Sequence, residues 1–314
     1  MNRRAVARTL AGPLLIAVVV WLVEPGRVVS QLARFDPRWL VPIAALSLVQ
    51  FAVSAWRWRF TARRLGLALT PRAAVADYYL AVFLNQCLPA GVLGDVTRAC
   101  RHGRASGQPA IAATAVVLER ASGQLAFALM ALASLPLAPV LVADRHPGTL
   151  VAIGGAALLG VGLIGRYVRY RPDGALPRAL LAREAWPSQL ATSLIVVATY
   201  IGIYVLVARG LGVTRPLTVL IPLVPPVLLA MAIPVSVAGW GVREGAAAAL
   251  WSAAGLPAAE GVAISMAYGA VNLVAALPGL GVLVLGWRHQ SPGSGGPSGL
   301  SASSARSNNT SGPS

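Results

Sequence analysis

The chain contains no lysine, ten acidic residues, two cysteines and three histidines among 314 residues. Charged residues make up 11 %, against roughly 25 % in soluble domains, so they are too few to cover the surface of a water-soluble globule. Cys87 and Cys100 are too few for a disulfide framework, and with His102, His146 and His289 scattered they show no Cys/His ligand spacing. A redox or zinc enzyme is excluded on that ground. No G-x-x-x-x-G-K-[ST] phosphate loop occurs, so ATP hydrolysis within this chain is not expected, and no cofactor or metal is assigned. What is abundant is apolar: 56 % hydrophobic residues and a mean hydropathy of +0.69, with a net charge of +16 carried entirely by arginine on the basic side. A basic balance of this size suits nucleic acid or an anionic membrane surface, and the hydropathy selects the membrane. The expected partners are membrane lipids, with no nucleic acid.

A membrane-spanning helix needs about 20 mostly apolar residues, and short arginine-rich loops mark the cytoplasmic side. Spans are expected near Thr9–Val23, Trp39–Trp56, Ile111–Leu132, Gly148–Gly165, Gln189–Ala208 and Val262–Trp287. The first is read as an uncleaved anchor, because its apolar run ends in Val-Glu-Pro-Gly without an A-x-A-like site. Arg57, Arg59, Arg63, Arg64 and Arg72 follow the second span, Arg98, Arg101 and Arg104 precede the third, and five arginines between 166 and 183 follow the fourth. Those loops are assigned to the cytoplasm, in the inner membrane, with both termini cytoplasmic.

Two further apolar stretches, Ala73–Gly94 and Leu217–Leu256, are broken by proline and glycine. The first lies between two arginine-rich loops, so it must enter and leave on one side, as a re-entrant hairpin. The second must also cross an even number of times, as a hairpin or as two full helices. The expected fold is therefore all-α, a polytopic membrane domain over residues 1–288 with about six full spans and two broken hairpins, followed by a disordered cytoplasmic tail at 289–314.

Each hairpin places a proline, a glycine five residues later, and then an acid and an arginine close together: Pro89, Gly94, Asp95 and Arg98 in one, Pro234, Gly239, Arg243 and Glu244 in the other. Proline and glycine free backbone groups from helical pairing, which at membrane depth requires a protein-lined or water-filled cavity. Such segments at corresponding places in two halves, entering from opposite faces, are the pattern of an inverted-repeat transporter with its substrate site between them. Plainer roles exist. Asp95 could cap a helix Val96–Arg104, worth about 1 kcal/mol, and Arg243-Glu244 could be an interfacial pair.

Glu119-Arg120 sharpens the case, because it falls inside the apolar run Ile111–Leu132, where ionisable residues cost roughly 2.5–3.5 kcal/mol each. Arg98, Arg120 and Arg243 suit bidentate binding of a phosphate, with Asp95, Glu119 and Glu244 holding the guanidinium groups. Such a site requires Arg98 and Arg243 to meet across a cavity within reach of Glu119-Arg120. The candidate substrate-binding set is Asn85, Asp95, Arg98, Glu119, Arg120, Arg243 and Glu244, with Asp77 and Asn272 as secondary candidates, the latter as an interhelical hydrogen-bond partner.

At Leu88-Pro-Ala-Gly-Val-Leu-Gly-Asp-Val-Thr-Arg98, Leu118-Glu-Arg120 and Ile233-Pro-Val-Ser-Val-Ala-Gly-Trp-Gly-Val-Arg-Glu-Gly245 the chain resembles the lysylphosphatidylglycerol synthase transmembrane family, also called flippase-like integral membrane proteins. The resemblance covers Met1 to Trp287. It implies a polytopic inner-membrane protein related to the membrane half of multiple peptide resistance factor, which moves aminoacylated phosphatidylglycerol between leaflets. Those bifunctional proteins carry an aminoacyl-transfer domain after the membrane part, whereas this chain continues into a short polar tail, so lipid lysylation is not expected. The leading expectation is a non-enzymatic flippase for an anionic or zwitterionic phospholipid or a lipid-linked phosphate. Two rivals stand beside it: a membrane-embedded lipid-modifying transferase using Asp95 or Glu244 as base, and a non-catalytic partner of a cell-envelope glycosyltransferase.

Overall fold

Backbone immersed in hydrocarbon must satisfy its N–H and C=O groups within its own segment, and every described element is accordingly helical. The computed structural model describes residues 25–88, 91–134, 174–175, 177–232 and 239–288. Its helices are α1 (Pro25–Leu32), α2 (Leu40–Arg64), α3 (Pro71–Cys87), α4 (Leu93–Ser106), α5 (Pro109–Ser134), α6 (Trp186–Gly210), α7 (Leu217–Leu229), α8 (Val242–Ala253), α9 (Ala258–Ala276) and α10 (Pro278–Arg288). A π-helical turn at Pro177–Leu181 precedes α6, and short 3-10 turns stand before α2 and after α7.

Four stretches are long and apolar enough to cross a bilayer: Pro37–Arg64, Pro109–Ser134, Trp186–Gly210 and Ala258–Val284. They match four of the expected spans, and the protein is an all-α, multi-pass membrane protein. The last span is two helices, α9 and α10, because Pro278 has no N–H to continue the ladder. Expected spans Thr9–Val23 and Gly148–Gly165, and the tail 289–314, lie outside the described residues. Outward-facing Val41 and Leu48, each more than 60 % exposed, are part of the surface that lipid covers.

Each broken segment holds a pair of short helices, but the first pair runs past the expected Ala73–Gly94: its second arm is α4, Leu93–Ser106, so Arg98 and Arg101 lie within that arm, Arg98 buried, rather than in a cytoplasmic loop. In the first, α3 and α4 have 17 and 14 residues, about 25 and 21 Å long, short of the roughly 30 Å hydrocarbon core. Arg101 near the end of α4 bonds Asp77 near the start of α3 at 2.8 Å, and at the far end Asn85 meets Gly94 and Asp95, so the two helices are antiparallel. Trp58, toward the end of α2, lies against His102 in α4. The end of α2, the start of α3, the end of α4 and the start of α5 therefore share one end of the bundle. In the second hairpin, α7 and α8 have 13 and 12 residues, about 20 and 18 Å, again too short to cross. The described helices of Leu217–Leu256 are thus a short pair rather than two full spans.

Arg215, just before α7, lies 3.5 Å from Glu260 at the start of α9, and Glu260 also accepts from Trp251 in α8. This hairpin consequently enters at the end where α6 finishes. That end is the opposite one: the Asp36 N–H, ahead of α2, donates to the Gly210 carbonyl at the end of α6, while Gln189 at the start of α6 bonds Thr61 at the end of α2. The chain order long helix, hairpin, long helix occurs twice, α2–α5 and α6–α9, with opposite entry. Gly91 at one tip (φ 59°) and Gly241 at the other (φ 86°) take the left-handed turns that only glycine adopts freely.

The tips are packed tightly. A Cβ on Gly94 would fall 1.9 Å from the Ala81 carbonyl oxygen, because α4 there lies directly on α3. Gly94→Leu should separate the hairpin arms and lower stability by about 1–3 kcal/mol or more, read as reduced melting temperature in detergent. Cysteine labels at Arg72 and Arg104 should react from one side of the membrane, and a label at Arg215 from the other, in a variant lacking Cys87 and Cys100.

Candidate functional site

Arg57 is the first surprise. The sequence reading assigned it to a cytoplasmic loop, yet it lies two turns inside α2, with its side chain 5 % exposed. The apolar pattern runs on past it through Phe60 and Ala62, so the helix continues to Arg64. Its guanidinium donates to Oε1 of Glu119 through Nη2 (2.5 Å) and Nε (3.2 Å), and to the Ser193 hydroxyl on α6 at 3.3 Å. The other oxygen of Glu119 accepts from Arg98 at 2.6 Å. Glu119, 1 % exposed, thus joins α2, α4 and α5.

From Arg98 the chain of charges continues. Arg98 Nε donates to Asp95 Oδ1 at 2.9 Å, and Oδ2 of Asp95 accepts from the Asn85 amide at 2.9 Å and from Arg120 through Nε at 2.7 Å and through Nη2. The Asn85 carbonyl oxygen accepts from Gly94 N–H at 2.7 Å, so this one amide clasps both arms of the hairpin. Trp58 and Tyr78 lie 4.9 and 5.1 Å from the Arg98 guanidinium and hold its faces. The structure therefore brings together Asn85, Asp95, Arg98, Glu119 and Arg120, and adds Arg57, Trp58, Tyr78 and Ser193. Three guanidinium groups against two carboxylates leave one positive charge in excess.

Three sequence expectations change in detail. Asp95 is not an N-cap: α4 begins at Leu93, with Val92 as its cap, and the Asp95 carboxylate turns to side-chain donors. Glu119 and Arg120, adjacent in sequence, point to different partners. Adjacent residues on a helix project about 100° apart, so Glu119 faces Arg57 and Arg98 while Arg120 reaches Asp95. Arg243 and Glu244 form a separate cluster that shares no partner with the first. Glu244 Oε2 accepts from Gly241 N–H at 2.6 Å, and Oε1 accepts from Arg243 at 2.6 Å and from the Ser265 hydroxyl at 2.9 Å. Trp240 and Tyr268 flank the Arg243 guanidinium at 5.1 and 5.3 Å, in space left by Gly269. Both charges are sealed, at 1 % and 0 % exposure. Asp77 pairs with Arg101, and the Asn272 amide donates to the Tyr268 carbonyl of its own helix rather than across helices.

A cavity of about 680 Å³ lies beside the first cluster. Val82, Val92, Val117, Phe127 and Leu228 make its walls apolar, and Asn85, Gln86, Asp95, Arg120, Gln124 and Tyr200 supply the polar groups. Arg98 and Arg243 do not line it. Arg120 does, with its side chain 42 % exposed while Asp95 is 13 % exposed. Met231 and Gly239 of the second hairpin border the same cavity, and Met231 Sδ contacts Arg243 at 3.8 Å, so both hairpin tips reach it.

Residues 9–279 match the family model for the lysylphosphatidylglycerol synthase TM region. No curated protein matches the chain.

Removing one member of a fully buried pair leaves an uncompensated charge. Glu119→Ala and Arg243→Ala should each destabilise the protein by about 3–5 kcal/mol, visible as loss of monodisperse protein on size exclusion. Arg120→Gln should leave the fold intact, because Asp95 keeps Arg98 and Asn85.

Proposed function

The chain belongs to the lysylphosphatidylglycerol synthase TM family, and from that premise we propose that it carries an anionic or zwitterionic phospholipid, or a lipid-linked phosphate, across the cytoplasmic membrane. Family membership makes its function a lipid-related one in the membrane. The observation that carries the finer reading is the cavity: apolar walls, a single substantially exposed guanidinium at Arg120, and contact with both hairpin tips. Its volume of about 680 Å³ suits a headgroup with its glycerol, leaving acyl chains in the bilayer.

Arg120 uses Nε and Nη2 on Asp95, which fixes the guanidinium plane of a side chain that lines the cavity and is 42 % exposed. A phosphate bound there would compete with Asp95 for Arg120, and Asp95 belongs to α4 while Arg120 belongs to α5. Binding would thereby loosen the first hairpin from the helix it packs on, a coupling between occupancy and opening. Hairpins entering from opposite ends of the bundle allow the cavity to open alternately to either side. On this reading the arginine-rich end, with Arg59, Arg63, Arg72 and Arg104, faces the cytoplasm, which the positive-inside rule supports. As for a transferase, the oxygens of Asp95 and Glu244 are already occupied by donors, and Glu244 is sealed from the cavity, which speaks against either as a substrate base.

Purified protein in liposomes tests the proposal with fluorescent phosphatidylglycerol and dithionite quenching. Exchange between leaflets in the wild type, slowed about tenfold or more in Arg120→Gln with unchanged melting temperature, is the expected result; a tenfold effect corresponds to one charge-assisted contact. Arg120→Lys should recover little, because lysine lacks the planar fork that can pair with phosphate through two N–H groups. Equal exchange in protein-free vesicles, or formation of a modified lipid instead, would overturn the transport reading.

A further inference from the structure

A second concavity lies on the outside of the bundle, between α3 and α10. Gly279 touches α3 so closely that a Cβ there would fall 2.2 Å from the Tyr79 carbonyl oxygen. The Pro278 break sets the direction of α10 from that contact, and an open groove of about 470 Å³ runs beside it along Val75, Ala76 and Tyr79 on one side and Pro278 and Val282 on the other. The Tyr79 ring is fixed from behind, edge-on to Phe51 at 4.9 Å. Arg72 belongs to the same groove and sits in the first turn of α3, at the arginine-rich end. Among the described residues it has no carboxylate partner, since Asp77, the nearest acid on α3, is taken by Arg101.

We propose that this groove is a phospholipid site, with one acyl chain lying along Val75, Ala76 and Tyr79 and the phosphate on Arg72. Direction and charge both select this occupant. Arg72 stands where α3 begins, and the seven residues from Arg72 to Tyr79 carry the groove about 10 Å inward, the orientation of a bilayer lipid whose phosphate lies at the interface. The groove is apolar except for Arg72, and Leu280 and Val284 beside it on α10 are exposed, so hydrocarbon surrounds it. The first turn of α3 adds N–H groups and the positive end of the helix dipole, which favour an anion near Arg72. Because α10 meets the hairpin arm here, a bound lipid would brace α3 from the outer side, away from the Tyr78 face that lines the central cavity. This site does not depend on the transport reading.

The test is photolabelling in phosphatidylcholine nanodiscs with phosphatidylglycerol bearing a diazirine in one acyl chain, and with the matching diacylglycerol probe, followed by peptide mapping. Label should concentrate in residues 71–79 and 278–284 relative to the lipid-facing stretch 41–49 of α2. Val75→Trp, at the surface, or Val282→Trp, half-buried at the groove wall, should remove that excess by filling the groove. Arg72→Gln should lower phosphatidylglycerol labelling about fivefold, as expected for one interfacial arginine, while leaving diacylglycerol labelling unchanged. Even labelling of α2 and α3, label indifferent to both tryptophan variants, or an equal effect of Arg72→Gln on both probes would overturn the site. Leaflet exchange is not measured, so failure here leaves the transport proposal to its own experiment.

Discussion

A carboxylate in the membrane interior is tolerable only when its oxygens are fully engaged, and the first half of this protein is organised by that constraint at Glu119. Arg57 and Arg98 each take one of its oxygens, and each brings its helix with it. Apolar residues of the short hairpin α3–α4, Ala74, Tyr78 and Ala99 among them, pack against α2 and α5. The ionic ties at its inner end, together with the Asn85 clasp, set where its tip stops. Without them the exposed guanidinium of Arg120 would have no fixed position from which to face the cavity.

The two halves repeat in topology and differ in chemistry. In the first, the acid and the arginines spread across three helices and end at a side chain open to the cavity. In the second, Arg243 and Glu244 close on one another, with Ser265, Trp240 and Tyr268 completing a sealed cluster whose carboxylate also holds the N–H that opens α8. The same sequence ingredients thus give a network that borders the cavity on one side and a sealed cluster on the other. Only Met231 and Gly239 carry the second hairpin to the cavity wall. The asymmetry leaves Arg120, on the helix that packs against the first hairpin, as the exposed member of the first cluster, while the Arg243-Glu244 pair of the second is closed off.

Much of this arrangement was legible in the sequence. Hydropathy located the long helices because a helix in lipid must be apolar over a fixed length, whatever its neighbours. Arginine distribution and parity implied a turn back within Ala73–Gly94; a turn does follow Cys87, but the return arm is α4, Leu93–Ser106, which reads as a loop because its arginines look interfacial in one dimension. Arg57 was misplaced because a cation near a helix end reads as interfacial in one dimension, and only the approach of Glu119 from a helix 62 residues away shows that it is buried. Asp95 likewise has the spacing of a cap, and its real partners come from α3 and α5.

The amino-acid sequence alone therefore determined the solvent, the approximate positions of the long helices described and the family, since each follows from local composition or short motifs. Tertiary structure decided that the described helices of the second segment are a short pair rather than two full spans, which charges meet, and which of three arginines faces the cavity. Those outcomes depend on the rotation of each helix about its axis and on where the hairpin tips stop. Contacts between residues distant in the chain set both, and no local pattern records them.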